Sequence, residues 1–253
     1  MNEPIFSAVE IEINHACNRA CSYCPNAVAS RIHQGEMDPS LLKQVLRELR
    51  SIDFSGRVSF DFYNEPLIHS DFEGVVQMTR AQLERASIVV YTNGTRLPVD
   101  RFRRLLALGV DRFIVTRHEA DRLHLFEKTF SLLTNDEKSC VVYRDHKDIR
   151  LTNRGGMLPH LGESGLPLTP CQIPEQIITL TVNGNVLPCF EDFHEKLVMG
   201  NLRDQSLLEI WKSTKYREFR KSLRMGLRHL YEPCKSCNRI EVLPPPMETP
   251  HGI

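Results

Sequence analysis

The first 153 residues are predicted to form an α/β fold built on a parallel sheet, followed by a smaller hairpin-and-helix region. Three observations predict it. Segments with the two-residue period of strands take turns with segments of 3.6-residue helical period throughout the first half. Each chemically distinctive motif falls at the end of a strand segment, as it does when parallel strands share one rim. Beyond residue 153 the alternation stops, and glycine and proline accumulate.

Each element has a local reason. SAVEIEIN (7–14) alternates as a strand should, and a loop with three cysteines follows it. DPSLLKQVLREL (38–49) is a helix, since Asp38 offers an N-cap oxygen and Pro39 suits the first helical position, where no N–H is needed. RVSFDFY (57–63) is the second strand, and Ser70 is the expected cap of a helix reaching Leu83. ASIVVYTNG (86–94) is the third strand, DRFRRLLALG (100–109) a helix stopped at Gly109, and DRFIVTRH (111–118) the fourth strand. DRLHLFEKTFSLL (121–133) is another helix, and KSCVVYRD (138–145) and DIRLT (148–152) are two further strand segments. Parallel strands joined by helices take right-handed crossovers, and such sheets bind ligands at the strands' C-terminal ends. The cysteine loop, YNEP (63–66), YTNG (91–94) and TRH (116–118) are therefore expected on one rim.

The remainder divides differently. NRGGMLPHLGESGLPLTPCQIPE (153–175) is a crossing loop. IITLTVNGNVLPCF (177–190) is a hairpin turning at Asn183-Gly184. SLLEIWKSTKYREFRKSLRMG (206–226) is one long amphipathic helix capped by Ser206, and CKSC follows at 234–237. The expected division is a core over 1–153, a crossing loop and small module over 154–240, and a disordered tail over 241–253.

Composition narrows the function. Lysine plus arginine and aspartate plus glutamate both count 32, so no excess charge favours nucleic acid or an anionic membrane, and small-molecule partners fit better. The N-terminus lacks a basic-then-apolar signal, and no apolar run approaches eighteen residues, so a cytoplasmic protein is expected. In that reducing compartment eight cysteines point to metal binding or catalysis rather than disulfides.

The cysteines form two groups. Cys171, Cys189, Cys234 and Cys237 make a four-thiolate set, suited to zinc or to an iron-sulfur cluster. Cys17, Cys21 and Cys24 are three, and three leave a position open. A cubane cluster held this way keeps one iron free for another ligand; a three-thiolate catalytic zinc and plain surface cysteines are the alternatives.

CxxxCxxC with Tyr23 just before the third cysteine resembles the radical S-adenosylmethionine (SAM) enzymes. GNVLPC, MGNLRDQSLLEIW and CKSC resemble the twitch, a shortened form of the SPASM module. CNRACSYCPN, GEMDP, FYNEP, NRGG and GNVLPCFEDF, in this order, resemble the radical SAM dehydrogenases that act on aminocyclitols in aminoglycoside biosynthesis. The resemblance implies a partial (β/α)6 barrel with a C-terminal β-hairpin and helix subdomain. It implies a 4Fe-4S cluster on Cys17, Cys21 and Cys24 whose free iron chelates SAM, and an auxiliary 4Fe-4S cluster on Cys171, Cys189, Cys234 and Cys237. Cofactor contacts would fall to Tyr23, Tyr63, Asn64, Glu65, Thr92, Asn93, Thr116 and Arg117, with Glu65 accepting from the SAM ammonium. Asn64 stands where the family motif has glycine. The substrate would meet Arg154 and Glu191, with Tyr63, Tyr91 and Phe190 as pocket walls.

The implied reaction abstracts hydrogen from a carbinol carbon by a 5'-deoxyadenosyl radical and passes an electron to the auxiliary cluster, giving a ketone. Arg154 polarises the carbinol oxygen, because a guanidinium does not deprotonate. Glu191 would face the substrate ammonium or pair with Arg154. An epimerase is the alternative, with Cys140 as hydrogen donor, although Cys140 in KSCVVYRD is expected in the core; a peptide-modifying enzyme and a zinc-bearing scaffold are weaker ones. The implied partners are an aminocyclitol or amino sugar and a flavodoxin or ferredoxin electron donor. A flavodoxin-type donor would suit Lys212, Lys215, Arg217, Arg220, Lys221, Arg224 and Arg228 of the last helix.

Overall fold

The computed structural model describes residues 5–118, 125–163 and 168–240. The expected disordered tail and the first four residues of the helix expected over 121–133 lie outside them. In chain order the elements are β1 (Ala8–Ile11), α1 (Pro39–Ser51), β2 (Arg57–Ser59), α2 (Phe72–Gln82), β3 (Ser87–Thr92), α3 (Val99–Ala107) and β4 (Arg112–Arg117). Then come α4 (Leu125–Ser131), α5 (Asn135–Ser139), β5 (Val141–Asp145), α6 (Ile173–Gln176), β6 (Ile177–Leu180), β7 (Asn185–Leu187), β8 (Gly200–Asn201), α7 (Leu207–Lys212) and α8 (Thr214–Arg224).

All eight strands form one sheet in the order β5-β4-β3-β2-β1-β6-β7-β8. The run from β5 to β6 is parallel, while β6–β7 and β7–β8 pair antiparallel. The sixth parallel strand is thus the first strand of the expected hairpin, set beside β1 with Ala8 opposite Ile177. Gly184, at φ +89°, makes the hairpin turn that Asn183-Gly184 predicts. Alternation sorts the side chains of β1: Val9 and Ile11 are fully buried in the apolar core, while Ala8 and Glu10 line a cavity on the other face.

Four expectations need correction. DIRLT is not a strand; Asp145 caps a single 3-10 turn over His146–Asp148, and Ile149 and Leu151 then line the cavity. KSCVVYRD begins as helix, since Thr134 and Glu137 form a reciprocal capping box for α5, and Cys140 ends that helix. Asp71, not Ser70, caps α2 through the Gly74 N–H, because Ser70 is engaged by Glu36. The long C-terminal helix is two: Ser213, extended at ψ 150°, ends α7 and caps α8 by accepting from the Tyr216 N–H. That break lets Trp211 and Tyr216 meet edge to face at 5.0 Å and lets Trp211 pack on Phe6 at 5.1 Å, joining the module to the core.

Candidate active site

A cavity of about 450 Å³ runs along the inner face of the parallel strands. Cys17, Cys21 and Cys24 all line it. Their loop is held by backbone bonds from Cys24 N to Cys21 O and from Ala27 N to Cys24 O, both 2.9 Å. It is tied to the end of β2 by Glu65 N donating to Ala16 O at 2.9 Å and by the Asn26 amide donating to Tyr63 O at 2.6 Å. The Tyr23 ring lies parallel to His146 at 5.4 Å, and its hydroxyl is 2.5 Å from His118 Nδ1.

Glu65 is buried and already occupied. Its oxygens accept from Thr92 Oγ1 at 2.7 Å, Asn93 N at 2.8 Å and Leu67 N at 3.1 Å. Burial pushes its carboxyl above the ordinary range, against those hydrogen bonds. Thr92 and Asn93 therefore join YNEP and YTNG into one rim. Asn64 is a brace: its oxygen accepts from Phe62 N and its amide donates to Asn14 Oδ1 and Phe60 O. Thr116 lines the cavity, whereas Arg117, one residue along the strand, is outside its lining and pairs with Asp145 at 2.9 Å and Glu127 at 3.3 Å. The two-residue strand period separates them.

Arg154, Tyr63, Tyr91 and Phe190 meet on the same cavity wall system. Arg154 sits at φ +51°, the first of three left-handed residues in NRGG, and its guanidinium lies 6.0 Å from the Tyr63 ring centre. Arg154 Nε and the Tyr63 hydroxyl are buried and find no hydrogen-bond partner among the described residues. Burial opposes the charge on Arg154, but Glu191 and Tyr63 beside it outweigh that and raise its pKa. Burial also pushes the Tyr63 phenol well above its usual value. Both groups are thus hydrogen-bond donors near neutral pH.

Glu191 stands apart from these. It is 2% exposed, accepts from Thr152 Oγ1 at 3.0 Å, pairs with Arg239 at 2.7 Å, and reaches Arg154 only at 3.8 Å. It lines a second, smaller cavity of about 20 Å³, together with Cys171, Cys189, Cys234 and Cys237. Burial pushes the Cys17 and Cys237 thiols up to about 11 and raises those of Cys24, Cys171, Cys189 and Cys234 as well. A buried thiol this weakly acidic becomes a thiolate when a cation binds it. Three cysteines lining the large cavity and four lining the small one are donor sets that suit thiolate-held iron-sulfur clusters, the first with one position left open.

Cys140 is not in the core position expected of it. It caps the C-terminus of α5 just before β5 begins, with Sγ 3.7 Å from Asp136 O. That is the N-terminal end of the strand, whereas the cysteine loop lies at the C-terminal end of β1.

Several residues escaped the sequence reading. Glu10, Arg57, Asp61 and Arg144 all line the cavity. The signal was present in SAVEIEIN, where Glu10 and Glu12 alternate inside a strand destined for burial on both faces. Arg31 is a buried hub: it pairs with Glu12 at 2.9 Å and Glu195 at 2.8 Å, donates to Phe193 O, and lies 4.6 Å from the Phe62 ring. Nothing local in the sequence marks it.

Comparison with known proteins agrees with this geometry. The sequence model of the Radical SAM superfamily matches residues 11–130, and that of the SPASM iron-sulfur cluster-binding domain matches residues 171–238. The S-adenosyl-L-methionine-dependent 2-deoxy-scyllo-inosamine dehydrogenase of Niallia circulans is 44% identical over 240 residues, covering 95% of this chain and 96% of its own. The crystal structure of BtrN in complex with AdoMet and 2-DOIA superposes with a TM-score of 0.90 at 44% identity, covering 95% of this chain and 96% of that one. BtrN in an open conformation superposes with a TM-score of 0.77 at 38% identity over the same shares.

Proposed function

The chain belongs to the radical SAM superfamily and carries a C-terminal iron-sulfur cluster-binding module of the twitch type, and from this premise we propose that it oxidises a secondary alcohol of an aminocyclitol to a ketone in aminoglycoside biosynthesis. Its cofactors are SAM with a 4Fe-4S cluster, for which Cys17, Cys21 and Cys24 are the fitting ligands, and an auxiliary iron-sulfur cluster, for which Cys171, Cys189, Cys234 and Cys237 are. When bound, these supply a hydrogen-atom acceptor and an electron acceptor, so that the carbinol can lose a hydrogen atom, a proton and an electron and become a ketone.

The observation that carries the proposal is the pair of unpartnered buried donors, Arg154 Nε and the Tyr63 hydroxyl, beside the cavity that the three cysteines line. Donors left idle in a buried wall are costly unless a ligand oxygen meets them. A carbinol oxygen placed there accepts from both and is stabilised most as its proton leaves and negative charge develops. Arg154 stays charged and Tyr63 stays protonated, so both hold the oxygen and neither takes its proton. Phe190 supplies apolar wall, with the Arg239 guanidinium over its ring at 4.9 Å.

The position of Cys140 at the other end of β5 supports dehydrogenation over epimerisation, since an epimerase needs a hydrogen donor beside the substrate. The electron donor we propose is a flavodoxin or ferredoxin docking on the exposed cations Lys212, Lys215, Arg217 and Lys221 of α7 and α8. Arg220 and Arg228 are not part of that surface: Arg220 is sandwiched over Trp211 and Tyr216, and Arg228 donates to Thr169 O and Pro170 O. With seven cysteines assigned to reducible clusters and such donors, the cytoplasm is the proposed compartment. No helix among the described residues is long and apolar enough to cross a membrane.

Anaerobically loaded protein, given SAM, reductant and 2-deoxy-scyllo-inosamine, is expected to form deoxyadenosine and ketone in equal amounts. Solvent deuterium at an inverted carbinol, with no ketone, would overturn the proposal in favour of epimerisation.

A further inference from the structure

An aminocyclitol brings an ammonium group, and Glu191 is too fully engaged by Thr152, Arg239 and Arg154 to receive it. Three carboxylates line the main cavity: Glu10, Asp61 and Glu65. Glu65 is committed to Thr92, Asn93 and Leu67, which leaves the other two.

Glu10 projects from β1, and Asp61 lies two residues beyond the end of β2. Arg57 of β2 donates to Glu10 at 3.2 Å and to the Tyr91 hydroxyl of β3 at 2.7 Å. Thr179 of β6 donates to the second oxygen of Glu10 at 3.0 Å. Arg144 of β5 faces the same space and donates to Thr116. Asp61 Oδ1 is buried without a hydrogen-bond partner among the described residues. Two carboxylates thus share one adjacent guanidinium, and one acceptor is idle. Burial, and then Asp61 beside it, pushes Glu10 up to about 7, and burial raises Asp61 too. A second cation at this floor relieves both conditions at once.

We infer that Glu10 and Asp61, positioned by Arg57, form an ammonium-binding subsite that selects amine-bearing substrates for this cavity. The inference rests on the proposed aminocyclitol reading for the ring that is offered, but it is tested by binding rather than turnover. Arrival of the ammonium favours the ionised form of Glu10, and the proton that Glu10 gives up goes to solvent.

The test is calorimetric titration of cluster-loaded, SAM-bound protein with 2-deoxy-scyllo-inosamine and with the same ring carrying hydroxyl in place of the amine. The wild type is expected to prefer the amine by about tenfold or more, and Glu10→Gln and Asp61→Asn each to bring that preference below about threefold. Affinity for the hydroxyl ring should move little. An unchanged preference in both variants, or equal loss of both ligands, overturns the subsite. The wild type alone gives a second check: in two buffers of different ionisation enthalpy near pH 6.5, amine binding releases protons and hydroxyl binding does not. Absence of that release also overturns it. Ketone formation by the wild type is measured separately, so a failed reaction and a failed subsite are distinguishable.

Discussion

Arg154 is the residue whose function depends most on backbone that the sequence only hints at. At φ +51° a non-glycine residue is strained, and the cost is met because the turn delivers the guanidinium to the cavity wall beside Tyr63. Arg154→Gln keeps a donor but loses the charge and the fork. It is expected to lower kcat for ketone formation by about 10²–10³-fold while raising KM far less. A loss confined to KM would place Arg154 in ground-state binding instead. Glu10 gives a pH signature. Its folded pKa, about 7, stands above the ordinary glutamate value of about 4.5, so its burial is harmless below that pH and costs stability as pH rises to 7. The stability of Glu10→Gln relative to wild type should therefore grow by on the order of 2–3 kcal/mol between pH 4.5 and 7.5, read from chemical denaturation at each pH. A flat difference would show Glu10 ionised throughout. At this scale the cysteines and the YNEP and YTNG residues were legible, because spacing and strand-end position expose them. Asp61 and Arg31 were not, since their meaning comes from partners 4 to 164 positions away.

Among the elements, the hairpin at Asn183-Gly184 was readable because two residues dictate it, whereas the Ser213 break was not. A serine inside an amphipathic run is unremarkable until Trp211 and Tyr216 must turn toward the same core. DIRLT failed for a related reason: its apolar residues face a cavity, and Asp145 offers a turn cap that outcompetes a sixth ladder. The NRGG turn shows how one element sets another. A Cβ on Gly156 would lie 2.6 Å from Ser236 Cβ, and one on Gly155 would lie 2.7 Å from Pro233 Cβ, so the turn packs directly against the CKSC loop. The Asn153 amide also donates to Ser236 O at 2.8 Å. Gly156→Ala, at φ +90°, is therefore expected to cost about 2 kcal/mol or more and to loosen the loop that carries Cys234 and Cys237. Iron counting after anaerobic reconstitution should then fall from about eight toward about four per chain, with reductive SAM cleavage retained. Full iron content in the variant would show that the turn and the second cysteine set are independent.

Across the whole molecule, the three-cysteine loop that follows β1 and Cys189, which follows β7, are both carried by one continuous sheet. The sequence suggests a border near residue 153, where composition changes, and composition cannot report that β6 returns to pair with β1 over Ala8↔Ile177 to Ile11↔Leu180. The return has consequences for packing as well as pairing. Trp211, Tyr216 and Phe219 of the last helices share a buried cluster with Phe6, Val9 and Leu46 of the core, and Arg31 binds Glu12 of β1 together with Glu195 beyond the hairpin. A chain ended at residue 153 would leave the β1 edge unpaired, Phe6 uncovered and Arg31 without Glu195. Exposed edges and apolar faces of this kind associate rather than stay folded. The truncated chain is expected to show no cooperative thermal transition and to bind an apolar dye, while the full chain unfolds in a single step. A folded 1–153 fragment, or two separate transitions in the full chain, would mean that the module is an appendage. A single transition would mean that the sheet itself fixes the separation of the hydrogen-abstracting site from the electron-accepting one. The spacing that the second metal site needs would then follow from strand pairing rather than from the docking of two bodies.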